Sequence, residues 1–195
     1  MFDWETMEQT EYSRRAQVSF VKLTKRSYLT TSGTAPKRAE DPAFLEGAEA
    51  VVELAKLISE GSAAGIVISG FKAYRPYPVQ AVWQGDEFKI WLKQPLFINK
   101  AIYEQALKQI DLAQSVDFEQ LAEDTEIQII TNGTVTQAVI DDLQRSVTGA
   151  GYQLATPDSH RELYLDGLPL TSDKQVLVRL ALNTAGKQPP LATMN

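Results

Sequence analysis

The one histidine among 195 residues falls in "SHRELYLDG", residues 159–167. In an extended chain, His160, Glu162 and Tyr164 would lie on one side and Leu163 and Leu165 on the other. An imidazole, a carboxylate and a phenol on one side of a strand could fix a ligand's orientation, pair with a cation or move a proton. Trp83 and Trp91 stand in two further alternating segments, "VQAVWQG" and "EFKIWLKQ". An indole face adds about 0.5–2 kcal/mol to the binding of a cation.

What would position these residues is a hairpin of 160–166 and 175–182 around "GLPLTSDK". With a symmetric loop, Leu163 faces Val178, Leu165 faces Val176 and Glu162 faces Arg179. One face, with Leu163, Leu165, Val176, Val178 and Leu180, must then pack on helices. The other carries His160, Glu162, Tyr164, Leu177 and Arg179, a mixture suited to a cleft wall. The plainer alternative is a cross-strand Glu162–Arg179 ion pair on a wet face, contributing under about 1 kcal/mol. A one-residue slip would exchange the faces. "DSH", 158–160, reads as turn residues entering a strand rather than as part of a Ser/His/Asp triad.

Composition removes several chemistries. Cysteine is absent, which excludes disulfides, thiol catalysis and cysteine-ligated metal. A single histidine cannot build a His-based zinc site, and no HExxH, P-loop or GxGxxG occurs. No metal and no cofactor are expected. The net charge of -6 opposes direct nucleic-acid binding, which needs a basic face. No helix-turn-helix pattern is seen. No apolar run reaches the roughly 20 residues of a membrane span. "MFDWETMEQTEY" lacks the order of an export signal, so a cytoplasmic location is the expectation.

Along the chain, 17–34 reads as extended, a bent strand or hairpin. A helix follows, with Asp41 as cap, Pro42 at its first position, and Phe44, Ala48, Val51, Ala55 and Ile58 as its apolar stripe. Gly61 offers a left-handed stop. After the two tryptophan strands comes a helix capped by Asn99. "DLAQSVDFEQLAED" is expected to be partly helical. The order then restarts: strand "EIQIITNG", a helix with Val139, Ile140, Leu143 and Val147 inward, then two strands. "LTTSGTA" (29–35) and "IITNGTV" (129–135) share Thr, Gly and Thr, which with the element order suggests a duplication. The fold expected is α+β: one domain over 1–186 of two strand–helix–strand–strand repeats, about 15–96 and 124–184. A helical connection spans 97–123. A tail over 187–195 is expected to be disordered.

"HRELYLDG" followed by "VLVRLAL" resembles the C-terminal signature of GyrI-like small-molecule-binding proteins. "FDWETMEQTEY", "SYLTTSGTAPKRAEDPAFLEGAEAVVELAK", "YRPYPVQAVWQ" and "FKIWLKQPLFINKAIYEQALKQI" resemble that family's other segments in order. The resemblance implies two halves about a pseudo-twofold axis. It also implies an antiparallel sheet with helices on one face and a ligand cleft on the other. Family members bind lipophilic, often cationic, compounds, and a standalone subgroup hydrolyses reactive electrophiles with a glutamate and a tyrosine. The matching positions are Glu162, Tyr164 and Trp83. The chain departs from the pattern in places: Gln80 stands where an acidic residue is frequent and Thr131 where a histidine is, while Thr134-Val135 replaces a Pro-Tyr and the acidic run after it is thinned. Gln80 and Thr131 are still counted as candidate ligand contacts.

Three functions follow as expectations. The first is a multidrug-type binding protein in which Glu162, Tyr164, Trp83, Gln80, Trp91, His160, Arg179 and Thr131 contact a hydrophobic or cationic small molecule. The second is a hydrolase with Glu162 as general base and Tyr164 as proton donor. The third, a protein partner as the gyrase-inhibitor name suggests, has no support in the residues themselves.

Overall fold

In a computed structural model, residues 1–122 and 124–192 are described. The elements run α1 (Trp4–Met7), β1 (Ser19–Lys22), β2 (Arg26–Thr34), α2 (Pro42–Glu60), β3 (Gln80–Gln84), β4 (Glu87–Gln94), α3 (Lys100–Leu107), β5 (Asp117–Leu121), β6 (Thr125–Asn132), α4 (Gln137–Gly149), β7 (Gln153–Leu154), β8 (His160–Tyr164) and β9 (Gln175–Asn183). Short 3-10 turns occupy Arg38–Glu40 and Gly61–Ala64. The fold is α+β, an open antiparallel sheet carrying helices. None of the described helices is long and apolar enough to cross a membrane.

The strand order is β1-β6-β9-β8-β3-β4-β2-β5, with the short β7 beside β9. The chain runs β2-α2-β3-β4 and later β6-α4-β7-β8-β9, the same order apart from the two-residue β7. Across the sheet the two runs are mirrored about the β8–β3 pair, which joins them.

Local chemistry explains the elements. The Asp41 carboxylate accepts from the Ala43 N–H and Pro42 opens α2, leaving Gly61, at φ +55, to end it. Phe44, Ala48, Val51, Leu54, Ala55 and Ile58 are buried on its inner face. Asn99 caps α3 through the Ile102 N–H. On α4, Leu143 and Val147 are buried, while Val139 and Ile140 are half-buried. Gly133 is needed where it stands: its φ is +67, and a Cβ there would lie 3.1 Å from the Ser172 Cα.

Three expectations differ from what is found. Residues 17–34 are not a hairpin: β1 pairs with β6, whereas β2 pairs with β4 and β5. The segment after α3 holds a strand, β5, because Phe118 and its neighbours add an edge to β2. Above all, the C-terminal hairpin is shifted by one residue. Arg161 faces Arg179, Glu162 faces Val178, Leu163 faces Leu177 and Tyr164 faces Val176. Of the tail, Leu191 bridges to Phe20, and residues 193–195 lie outside those described.

Candidate functional site

The one-residue shift decides which face carries the chemistry. Opposed residues share a face. Ile90, Ala81, Glu162, Val178 and Ile129 therefore form one row across β4, β3, β8, β9 and β6. This is the face that α2 covers, since Phe44 of α2 packs on Trp83 and Tyr164 with ring centroids 5.0 and 5.6 Å apart. Glu162 thus sits in an otherwise apolar row at the junction of the two runs, with small Ala81 beside it. It is only 3% exposed.

A carboxylate in such a place is costly unless it is paired and hydrogen-bonded. Glu162 has three partners. The Arg38 guanidinium donates through Nη2 to Oε1 at 2.8 Å, the His160 Nε2 lies 2.8 Å from the same oxygen, and the Tyr164 hydroxyl donates to Oε2 at 2.9 Å. The Trp83 Nε1–H in turn donates to the Tyr164 oxygen at 3.2 Å. Arg38 Nη2 also lies 2.9 Å from His160 Nε2. One ring nitrogen cannot both donate and accept. The cluster therefore has two forms: a protonated Nε2 donating to Glu162, or a bare Nε2 accepting from Arg38. Burial first, and then the charge of Glu162, holds the Tyr164 phenol well above its usual range, so it stays a proton donor.

Arg38 arrives from the turn between β2 and α2. Its Cζ stacks 4.3 Å from the Trp83 ring centroid. Its backbone is left-handed, at φ +56, which a side chain adopts only under constraint. One third of its side chain is exposed, against 4% for Glu162. Sequence reasoning missed Arg38. Its only signal is a basic residue just ahead of the helix-capping Asp41, and nothing in its spacing ties it to residues 122–126 positions later.

On the same side of the sheet lies a groove of about 830 Å³. Leu45, Ala48 and Val52 of α2 line one wall, Leu168 and Pro169 the other, with Trp4, Tyr77, Val79 and Tyr164 between them. Two of its lining residues are held by ion pairs, Asp166 with Arg14 and Arg75 with Glu5 and Asp3, and Arg14 also pairs with Glu5. The Arg75 hydrogen bond holds the Glu5 carboxyl below its usual range, with Arg14 adding to it against the opposing effect of burial.

The structure brings together Glu162, Tyr164, His160 and Trp83. Thr131 is on their face, opposite Val176, and half-buried. Gln80, Trp91 and Arg179 are on the other face. There Arg161 donates to Gln80 and its Cζ lies 4.5 Å from the Trp91 ring centroid, while Arg179 donates to Gln128. The expected Glu162–Arg179 pair is replaced by Glu162–Arg38, because the register sends the two side chains to opposite faces.

No family model matches the sequence, and no curated protein matches it. Solved structures do. A protein from Listeria innocua described as a hydrolase is similar at a TM-score of 0.80 and 17% identity, over 94% of this chain and 100% of that one. A second Listeria innocua structure, also described as a hydrolase, gives 0.79 and 16%, over 93% and 99%. EcmrR in a complex with DNA gives 0.55 and 10%, over 92% of this chain and 62% of that one. At these identities the likeness is one of fold.

Proposed function

We propose that this protein is a GyrI-like binder of lipophilic small molecules. The ligand lies in the groove between α2 and the 165–169 turn, with Tyr164, Glu162 and His160 as the polar end of the site. The observation that carries the reading is Tyr164, which lines the groove and donates its hydroxyl hydrogen bond to Glu162 behind it. A groove of about 830 Å³ suits a drug-sized compound, and mixed apolar walls with a few polar groups are the usual make-up of such sites. A cationic ligand reaches Glu162 only by replacing Arg38. The test is Nile red, a neutral lipophilic fluorophore, titrated into the wild type and into Val52→Trp, which fills the groove from a half-buried position. Saturable binding weakened at least tenfold in the variant supports the reading; equal binding in both removes the groove from it.

A second reading rests on the protonated phenol beside the carboxylate. Glu162 would take a proton from water while the oxygen attacks an activated carbon, and Tyr164 would protonate the departing atom. Such acid–base help supplies about 10²–10⁴-fold, enough for a substrate that is already reactive. The two hydrolase-named relatives of the same fold add weight to it. Mass spectrometry of strained-ring electrophiles incubated with the protein should then show catalytic addition of water that Glu162→Gln abolishes. Stoichiometric binding without product counts against it.

A further inference from the structure

The place where a ligand cation would sit is already filled by the protein itself. A flat cation stacked on an indole and ion-paired with a buried carboxylate is held by the two strongest contacts this site can offer. Arg38 makes both, on Trp83 and on Glu162. Its Nη2 also lies 2.9 Å from His160 Nε2, within the same cluster, and beyond the cluster its hold is slight. Nη1 reaches the Gly85 carbonyl at 3.4 Å, at the limit of a hydrogen bond. Nε is buried without a hydrogen-bond partner among the described residues. Its backbone is left-handed, a conformation that costs a non-glycine residue energy and persists only where surrounding contacts enforce it. It belongs to a three-residue 3-10 turn with no side-chain cap, and it is the outermost member of the cluster.

We infer that Arg38 is an internal ligand of this site and the residue that sets its charge preference. Resting on the reading above, the inference names the ligand class at the polar end. With Arg38 in place, Glu162 is neutralised and the site accepts uncharged lipophilic compounds. With Arg38 swung out, Trp83 and Glu162 accept a flat aromatic cation of the amidine or guanidine type. A cation therefore competes with Arg38 for one carboxylate, and its apparent affinity falls by the fraction of time Arg38 is seated.

The experiment compares benzamidine, a flat aryl cation, with benzamide, its neutral counterpart, by calorimetric titration. The proteins are wild type, Arg38→Gly and Arg38→Gly/Glu162→Gln. Glycine suits the φ of +56, so the single variant is expected to fold, and circular dichroism checks this; Arg38→Ala serves as a second version. Benzamidine is expected to bind Arg38→Gly at least tenfold more tightly than wild type. The gain should vanish in the double variant, and benzamide should show none. Benzamidine binding no tighter to Arg38→Gly and Arg38→Ala than to wild type overturns the inference, as does a gain that survives Glu162→Gln. Nile red is titrated alongside. Its binding without a benzamidine gain sinks the Arg38 inference alone; a benzamidine gain without Nile red binding sinks the groove and leaves Arg38 standing.

Discussion

Two clusters of buried charge lie on opposite faces of the same sheet, and they are built in opposite senses. On the helix-covered face the strand supplies the anion, Glu162, and a turn supplies the cation, Arg38. On the other face the strands supply the cations. Lys93 of β4, 1% exposed, reaches Glu8 at 2.8 Å and Glu11 at 2.7 Å. Arg179 donates to the Glu11 carbonyl and to Gln128, and Gln128 donates to the Thr10 carbonyl. Arg161 pairs with Glu126 at 3.0 Å. Both clusters stack a cation on an aromatic ring: Arg38 on Trp83 in one, Lys93 on Tyr12 and Tyr77 and Arg161 on Trp91 in the other. The difference lies in what the pairing holds. Lys93 and Arg179 fasten residues 8–12 across the sheet, so that cluster is a clamp on the N-terminal segment. Arg38 fastens only its own turn, so its cluster can open without disturbing the sheet.

The largest effect that separates them is expected at Lys93. Lys93→Ala leaves Glu8 and Glu11 facing each other over a hole. Breaking a buried pair costs about 3–5 kcal/mol. The two carboxylates are about a fifth exposed and can rehydrate, so a loss of about 3 kcal/mol is expected. Urea unfolding reads it as a shifted midpoint. A loss below about 1 kcal/mol would make this cluster as loose as the other and erase the contrast.

A smaller effect tests what the clusters share, which is a sealed tyrosine. Burial first, and then Glu11, raises the Tyr12 phenol; burial and then Glu162 raise Tyr164. A group whose folded pKa is raised contributes its full stability below its unfolded pKa, about 10 for tyrosine, and loses it as the pH climbs beyond. Each phenol should therefore cost about 1.4 kcal/mol per pH unit above pH ~10. Tyr12→Phe and Tyr164→Phe should each flatten the stability profile between about pH 10 and 11 by that slope. An unchanged slope in Tyr164→Phe would mean that water already reaches the Glu162 cluster.

Much of this was legible in local pattern. The caps at Asp41 and Asn99 and the stop at Gly61 follow from residue types over short spans. Alternation also grouped His160, Glu162 and Tyr164 correctly, because side-chain direction along one strand depends on nothing outside it. What failed was whatever depends on two strands at once. The loop between β8 and β9 is not symmetric: the Leu165 N–H still donates to the Gln175 carbonyl at 3.2 Å, while the Asp166 carboxylate accepts from the Gln175 N–H. That displaces the register by one and moves Arg179 to the far face. Arg38 was invisible for a related reason. Its role arises where the two runs meet, and no periodicity within either run reports on that seam.

The smallest effect is expected where function is expected to be greatest. Glu162→Gln removes the anion but keeps the shape, and the amide oxygen can still accept from Tyr164. Arg38 loses its counter-charge, yet a third of its side chain already meets water, so it can rehydrate in place or swing outward. Replacing the buried carboxylate by an amide also removes its desolvation cost, which offsets much of the lost pairing. The variant should therefore unfold within about 1 kcal/mol of wild type while changing which ligands bind. A loss approaching that of Lys93→Ala would mean that the Glu162 cluster, too, holds the fold together, and the two faces would then differ in geometry alone.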